Sequence, residues 1–123
     1  PIKIINKPYS EAEEIKELKK NSIFILPSIR EGIPLSLLEA MASGLACLSS
    51  KTQGGKELIN TYQSGILFNI KDSKQLENAI EKVSTNKSLW KKLSTNSKNI
   101  SKQRTWDKII KNLEKVYLQK STY

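Results

Sequence analysis

The chain reads as an α/β domain in which a small parallel sheet is flanked by helices and followed by a helical C-terminal tail. Three observations predict this. Strand-like apolar runs alternate with stretches of helical spacing. The run Ile23-Phe24-Ile25-Leu26 is apolar at every position, the mark of a strand covered on both faces in a parallel sheet. The last strand signal is Ile66-Leu67-Phe68, and the residues C-terminal to it keep helical spacing.

The elements come in the following order along the chain. Ile2–Ile5 is expected to be a short strand. Ser10 and Glu13 form a capping box, and Ala12, Ile15 and Leu18 lie on one helix face. Glu11, Glu13 and Glu14 lead that helix, and Lys19 and Lys20 close it, as the macrodipole favours. Pro27 ends the buried strand. Pro34 suits the first position of the next helix and Gly44 the residue just past its end. Between them the helix is unusually apolar, with Leu35, Leu37, Leu38, Ala40, Met41 and Ala42.

Leu45–Leu48 is the next expected strand, Lys51–Gly55 a polar glycine-rich loop, and Lys56–Ile59 a short helix. Gly54 and Gly55 are expected in a tight turn, with a second ligand loop as the alternative. Asp72 caps a helix carrying Leu76, Ala79, Ile80 and Val83. Another helix starts near Ser88 with Leu89, Trp90, Leu93 and Ile100 inward. Thr105 caps the last one, whose stripe of Trp106, Ile109, Ile110, Leu113, Val116 and Tyr117 keeps helical spacing. The expectation is a single domain over 1–123 with four strands and a helical tail from about 87 to 120.

At 123 residues, 37% hydrophobic and 27% charged, the chain has enough apolar material for one core and resembles ordinary globular proteins in composition. No apolar run approaches the roughly 20 residues that span a bilayer. A start at Pro1, with no methionine and no signal-peptide pattern, leads us to expect a fragment or processed chain. The single cysteine, Cys47, excludes an internal disulfide, reads as an inert core residue and fits a reducing compartment. One cysteine and no histidine argue against structural zinc.

The net charge of +9 is unevenly spread: residues 1–70 hold 8 Lys/Arg against 7 Asp/Glu, and residues 71–123 hold 13 against 5. Such a basic patch could meet nucleic acid, an anionic membrane surface or water alone. Aromatic residues on apolar helix faces, rather than interleaved with the basic ones, argue against nucleic acid.

The most informative stretch is Arg30–Gly44, REGIPLSLLEAMASG, which sets Glu31 and Glu39 eight positions apart. In open parallel sheets, ligands bind beyond the carboxyl ends of the strands, which is where Ser28–Ile33 leaves the buried strand. The amides of Leu35 and Ser36 near the helix start have no intrahelical partner and can turn to an anion. Gly32 lets the backbone approach a ligand closely. Pro34 to Glu39 is about 7.5 Å of helical rise, a span from a diphosphate to a sugar ring. On residue types alone the alternative stands that Glu31 only complements the helix dipole and Glu39 is a surface residue.

With the preceding IFILPS, this stretch resembles the E-x7-E motif of retaining glycosyltransferases of the GT-B fold, in the large family 4 group. The resemblance continues through QGGKELI, SGILF and RTWDKIIKNLEKVY. It implies a Rossmann-like sheet, as part of the C-terminal, donor-binding domain of a hexosyltransferase-type enzyme of polysaccharide or glycolipid biosynthesis. By position, Glu31 matches the motif glutamate that contacts the donor sugar at the reacting centre, and is the catalytic candidate. Gly32, Ile33, Pro34, Leu35 and Ser36 match the turn that holds the donor diphosphate, and Glu39 matches the residue that binds the ribose hydroxyls.

The resemblance further implies a nucleotide-diphosphate sugar as donor, no metal or other cofactor, and retained anomeric configuration. The acceptor, a sugar or lipid-linked glycan, would be bound by an N-terminal domain that this stretch lacks. The family's Arg and Lys on earlier loops are also missing, so the chain is expected to be inactive alone. A cytoplasmic location is implied, with the basic helices at the inner face of the cell membrane. The alternative is a non-catalytic remnant that binds a partner or membrane.

Overall fold

The computed structural model describes residues 4–104 and 106–120. Its elements are α1 (Glu11–Lys19), β1 (Ile23–Leu26), α2 (Leu35–Ala42), β2 (Ala46–Ser50), α3 (Gln53–Tyr62), β3 (Gly65–Phe68), α4 (Ser73–Thr85), α5 (Lys87–Lys98), the short α6 (Ile100–Gln103) and α7 (Trp106–Lys120). The three strands lie in the order β1-β2-β3, all parallel, with Ile25 opposite Leu48 and Leu48 opposite Ile66.

The side-chain alternation of the strands divides the core into two layers. On one face Phe24, Leu26, Cys47 and Leu67 pack with Leu37, Ala40 and Met41 of α2, Leu58 and Ile59 of α3, and Ile100. On the other, Ile23, Ala46, Leu48, Ile66 and Phe68 pack with Ala79 and Val83 of α4 and Leu93 of α5. Helices thus cover both faces of a parallel sheet.

β2 is the strand buried at every position, because it alone has a neighbour on each side. β1 was expected in that role but forms an edge of the sheet, where its burial is partial and Ile25 is 37% exposed. The expected strand at Ile2–Ile5 is also absent where it can be checked: Ile4 and Ile5 are exposed and belong to no strand, while residues 1–3 lie outside the described ones.

Most helix boundaries obey local chemistry. Ser10 and Glu13 make the reciprocal capping box of α1. Asp72 caps α4 through the amide of Gln75, and Asn86 ends α4 and caps α5 through that of Leu89. Gly44, at φ 81°, takes the left-handed position just past α2 that favours glycine. Two Ser hydroxyls then hold α5 to that turn: Ser94 Oγ donates to the Gly44 carbonyl and Ser97 Oγ to that of Leu45.

The glycine pair departs from expectation. Gly54 and Gly55 form neither a tight turn nor an open loop; they lie in the first turn of α3, which runs from Gln53 and not from Lys56. Thr52 accepts from the Gly55 amide and so moves the helix start forward. In α7 part of the apolar stripe is open to solvent, with Ile110, Leu113 and Val116 about half exposed. The cap at Thr105 and the side chains of Trp106, Ile109 and Tyr117 lie outside the described residues.

Candidate functional site

The carboxyl ends of β1, β2 and β3 converge on two adjoining cavities. The larger, about 560 Å³, is lined by Ile29, Arg30, Glu31, Gly32, Lys51, Thr52 and Gln53. The smaller, about 210 Å³, is lined by Ser28, Ile29, Ser50, Lys51, Thr52, Asn69 and Ile70. A further cavity of about 450 Å³ opens at the other end of the sheet, between Ser22, Ile23 and Trp90. Trp90 Nε1 donates there to the Ser22 carbonyl, a structural bond that joins α5 to the start of β1.

The loop that carries Glu31 is held from three directions. Ser50, at the end of β2, donates its hydroxyl to the carbonyls of Leu26 and Ser28, at 3.2 and 2.5 Å. Ser28 Oγ donates to Glu31 Oε1 at 3.0 Å and orients the carboxylate. The Gly54 amide donates to the Glu31 carbonyl at 3.3 Å. A side chain at Gly54 would overlap the Gly32 carbonyl and come within 2.8 Å of Pro34 Cδ, so the start of α3 and the motif loop touch backbone to backbone. A side chain at Gly32, in contrast, would meet nothing within 4 Å, so protein packing does not account for glycine there.

The start of α2 is chemically open. Pro34 is the N-cap rather than the first helical residue, and no side chain caps the helix. By comparison α1, α3, α4 and α5 are each capped by their own Ser, Thr, Asp or Asn. The amides of Leu35 and Ser36 have no backbone acceptor among the described residues. Ile33 and Leu35 are exposed and Pro34 is buried under the loop. Uncapped amides at a helix start carry partial positive charge and suit an anion.

Glu39 lies away from these cavities, exposed on the outer side of α2 and facing α1. Its carboxyl titrates above the usual range: desolvation contributes most, then the charge of Glu14 and a hydrogen bond with it, then Glu11. The structure thus brings Glu31 and Gly32 together in one cavity and leaves Glu39 on the neighbouring face. Sequence reasoning missed Lys51, Thr52 and Gln53 as cavity walls. Their signal is positional, since they come directly after the central strand of a parallel sheet. Among the described residues no three His, Cys, Asp or Glu side chains gather as a metal-binding group.

A parallel sheet covered on both faces, with an acidic loop and an uncapped helix start at its carboxyl edge, defines a Rossmann-like α/β unit. Residues 2–100 match the family model described as glycosyl transferases group 1. The chain belongs to that family.

Among its relatives, an N,N'-diacetylbacillosaminyl-diphospho-undecaprenol alpha-1,3-N-acetylgalactosaminyltransferase of Campylobacter jejuni is 35% identical over 112 residues, 81% of this chain and 30% of that protein. A UDP-Gal:alpha-D-GlcNAc-diphosphoundecaprenol alpha-1,3-galactosyltransferase of Escherichia coli is 38% identical over 72 residues, 58% of this chain and 19% of that protein. The chain therefore spans less than a third of the length of either relative. In fold it resembles a sucrose-phosphate synthase of Thermosynechococcus elongatus, with a TM-score of 0.74 at 22% identity over 86% of this chain and 27% of that one.

Proposed function

We propose that the chain is the donor-binding part of a retaining glycosyltransferase that takes a sugar from a nucleotide-diphosphate donor. One observation carries the reading: α2 begins uncapped beside Glu31 at the carboxyl end of the sheet. Open amides at Leu35 and Ser36, reached over Gly32, Ile33 and Pro34, suit the donor diphosphate and stabilise it as a leaving group. Glu31, oriented by Ser28, meets the sugar on the near side. Glu39, about one and a half turns along α2, accepts from the ribose hydroxyls. In the transfer, the bond from the anomeric carbon to the diphosphate breaks and one to an acceptor hydroxyl forms. We place the acceptor among diphosphate-linked lipid glycans, the class named for two relatives.

In this reading residues 1–123 form one nucleotide-sugar-binding unit and act within a longer enzyme, because each relative extends far beyond the matched stretch. The enzyme works at the cytoplasmic face of the membrane. We place its membrane contact on the basic surface that includes Lys87, Lys91 and Lys92 of α5. The half-exposed stripe of α7 also supports a second reading, a non-catalytic module that docks on a partner.

Calorimetric titration of UDP-, GDP- and ADP-sugars into the chain tests the donor reading. We expect one nucleotide to bind and Glu39→Ala to weaken it at least about tenfold, as loss of a charge-assisted hydrogen bond implies. Unchanged binding in that variant removes the ribose role. Turnover of a nucleotide sugar by the 123 residues alone overturns the view that they are only the donor half.

A further inference from the structure

We propose that Ser50 and Ser28 are positioning residues, two hydroxyls in series that tie Glu31 to the central strand and fix which carboxylate oxygen meets the donor sugar. The proposal rests on the donor-binding reading above. It names the groups that make the site select a sugar-bearing nucleotide over a bare one.

Ser50 ends β2, the strand buried at every position, and is itself 1% exposed. A hydroxyl in such a place costs stability unless it is hydrogen-bonded. Its two acceptors lie 24 and 22 positions earlier: the carbonyl of Leu26, at the end of β1, and that of Ser28, inside the loop. The Ser28 carbonyl has no backbone donor among the described residues, so the Ser50 hydroxyl is what ties it down. Pairing β2 with its neighbours needs no hydroxyl at this position. Holding the loop does.

The second link runs from Ser28, whose Oγ donates to Glu31 Oε1 at 3.0 Å. The other oxygen, Oε2, has no hydrogen-bond partner among the described residues and remains an open acceptor. Glu31 lines the cavity of about 560 Å³, whereas Ser28 and Ser50 line the adjoining one. The serines therefore grip the carboxylate from next door and leave its own cavity clear. A carboxylate pinned at one oxygen presents the other as a fixed acceptor for a sugar hydroxyl, with less freedom to lose on binding. The diphosphate end of the site does not depend on this relay. The start of α2 is fixed by Leu37, Ala40 and Met41, all fully buried, so loss of either serine leaves the amides of Leu35 and Ser36 in place.

The test compares the chain with Ser28→Ala, Ser50→Ala, Ser50→Thr and a control, Ser49→Ala, whose buried hydroxyl bonds the Ser50 carbonyl and not the loop. Circular dichroism and urea midpoints first establish that each variant folds. Failure of Ser50→Ala to fold where Ser49→Ala does would make Ser50 a folding residue and overturn its half of the proposal. Ser28, half-buried in a loop, then tests the other half. Titrations use three pairs of probes: UDP with UDP-galactose, GDP with GDP-mannose, and ADP with ADP-glucose. For the pair that binds, Ser28→Ala and Ser50→Ala should weaken the nucleotide sugar about tenfold and the bare nucleotide less than about twofold. Ser50→Thr, which keeps the hydroxyl, and Ser49→Ala should both hold the wild-type ratio of the two affinities.

The Gly54 amide, which donates to the Glu31 carbonyl, reports the loop without any ligand. Its hydrogen exchange should quicken in Ser50→Ala and stay unchanged in Ser28→Ala, where only the carboxylate is freed. An unchanged Gly54 rate in Ser50→Ala overturns the proposal. So does an equal loss for nucleotide sugar and bare nucleotide, which would leave the serines a general structural role. An affinity ratio that no variant alters also overturns it, and wild-type binding in that case keeps the donor reading intact. If no pair binds the wild type, both readings fall.

Discussion

Gly54 rests directly against Gly32, and its amide donates to the carbonyl of Glu31 at 3.3 Å. The first turn of α3 therefore serves as the floor on which the motif loop sits. The catalytic candidate is positioned by a helix that the loop does not lead into, through a contact that glycine at position 54 permits.

That contact makes Gly54 the most sensitive position near the site. Gly54→Ala puts a methyl group into the Gly32 carbonyl and within 2.8 Å of Pro34 Cδ, all of it backbone or ring that cannot swing aside. The expected cost is about 1–3 kcal/mol, as for overpacking elsewhere in cores. Urea unfolding measures it, and donor affinity should fall with it because the loop must lift. Gly32→Ala is the control: its Cβ meets open space, so stability should change little while nucleotide binding weakens.

Glu39 ties stability to pH. Its pKa is raised in the folded chain by desolvation first, then by Glu14 and Glu11, so the folded state holds that proton more tightly than the unfolded one. The stabilisation is complete below the ordinary glutamate value of about 4.3 and is lost as pH rises through the folded value. Glu39→Gln should therefore raise the melting temperature at pH 7 by about 1–3 °C, a modest effect for an exposed group. The gain should disappear below pH about 4. A gain of equal size at both pH values would assign the effect to something other than titration.

Cys47 should be silent in the native protein. It is fully buried, and burial pushes its thiol up to about 12 despite a Ser97 hydrogen bond that acts the other way. That leaves about a thousandfold less thiolate than an ordinary cysteine at the same pH. Labelling with a thiol reagent at pH 8 should proceed at the rate of unfolding and become fast in urea. Rapid labelling of the folded chain would contradict the packing of β2.

The basic surface predicts salt-dependent membrane contact. Vesicles containing anionic lipid should bind the chain at low ionic strength and release it as salt rises past the physiological range, where the Debye length falls below about 8 Å. Lys87, Lys91 and Lys92 replaced together by Gln should reduce binding about tenfold or more, at roughly 1 kcal/mol per charge. Binding that ignores salt, or none at all, argues against this surface.

Much was legible from the residues in order. The capping box at Ser10 and Glu13, the cap at Asp72 and the stop at Gly44 are local devices whose partners lie within a few residues, so they appear in the sequence. Helical and strand periodicity likewise identified β1, β2 and β3 within a residue or two. The motif loop and the anion-ready start of α2 were visible because Glu31, Gly32 and Pro34 lie within four positions of one another.

Tertiary structure decided what contiguity could not. Ile23–Leu26 is apolar throughout, yet lies at an edge, because whether a strand is central depends on which neighbours pair with it. Gly54 and Gly55 read as a turn, but glycine marks a close approach as well as a bend, and only the fold shows the backbone being approached. Lys51 stands at the cavity of Glu31 twenty positions away because both come after adjacent parallel strands. Sequence by itself determined most of the elements and the motif. Which residues share a cavity with Glu31 was settled by the pairing of β1 with β2, a long-range contact with no local signature.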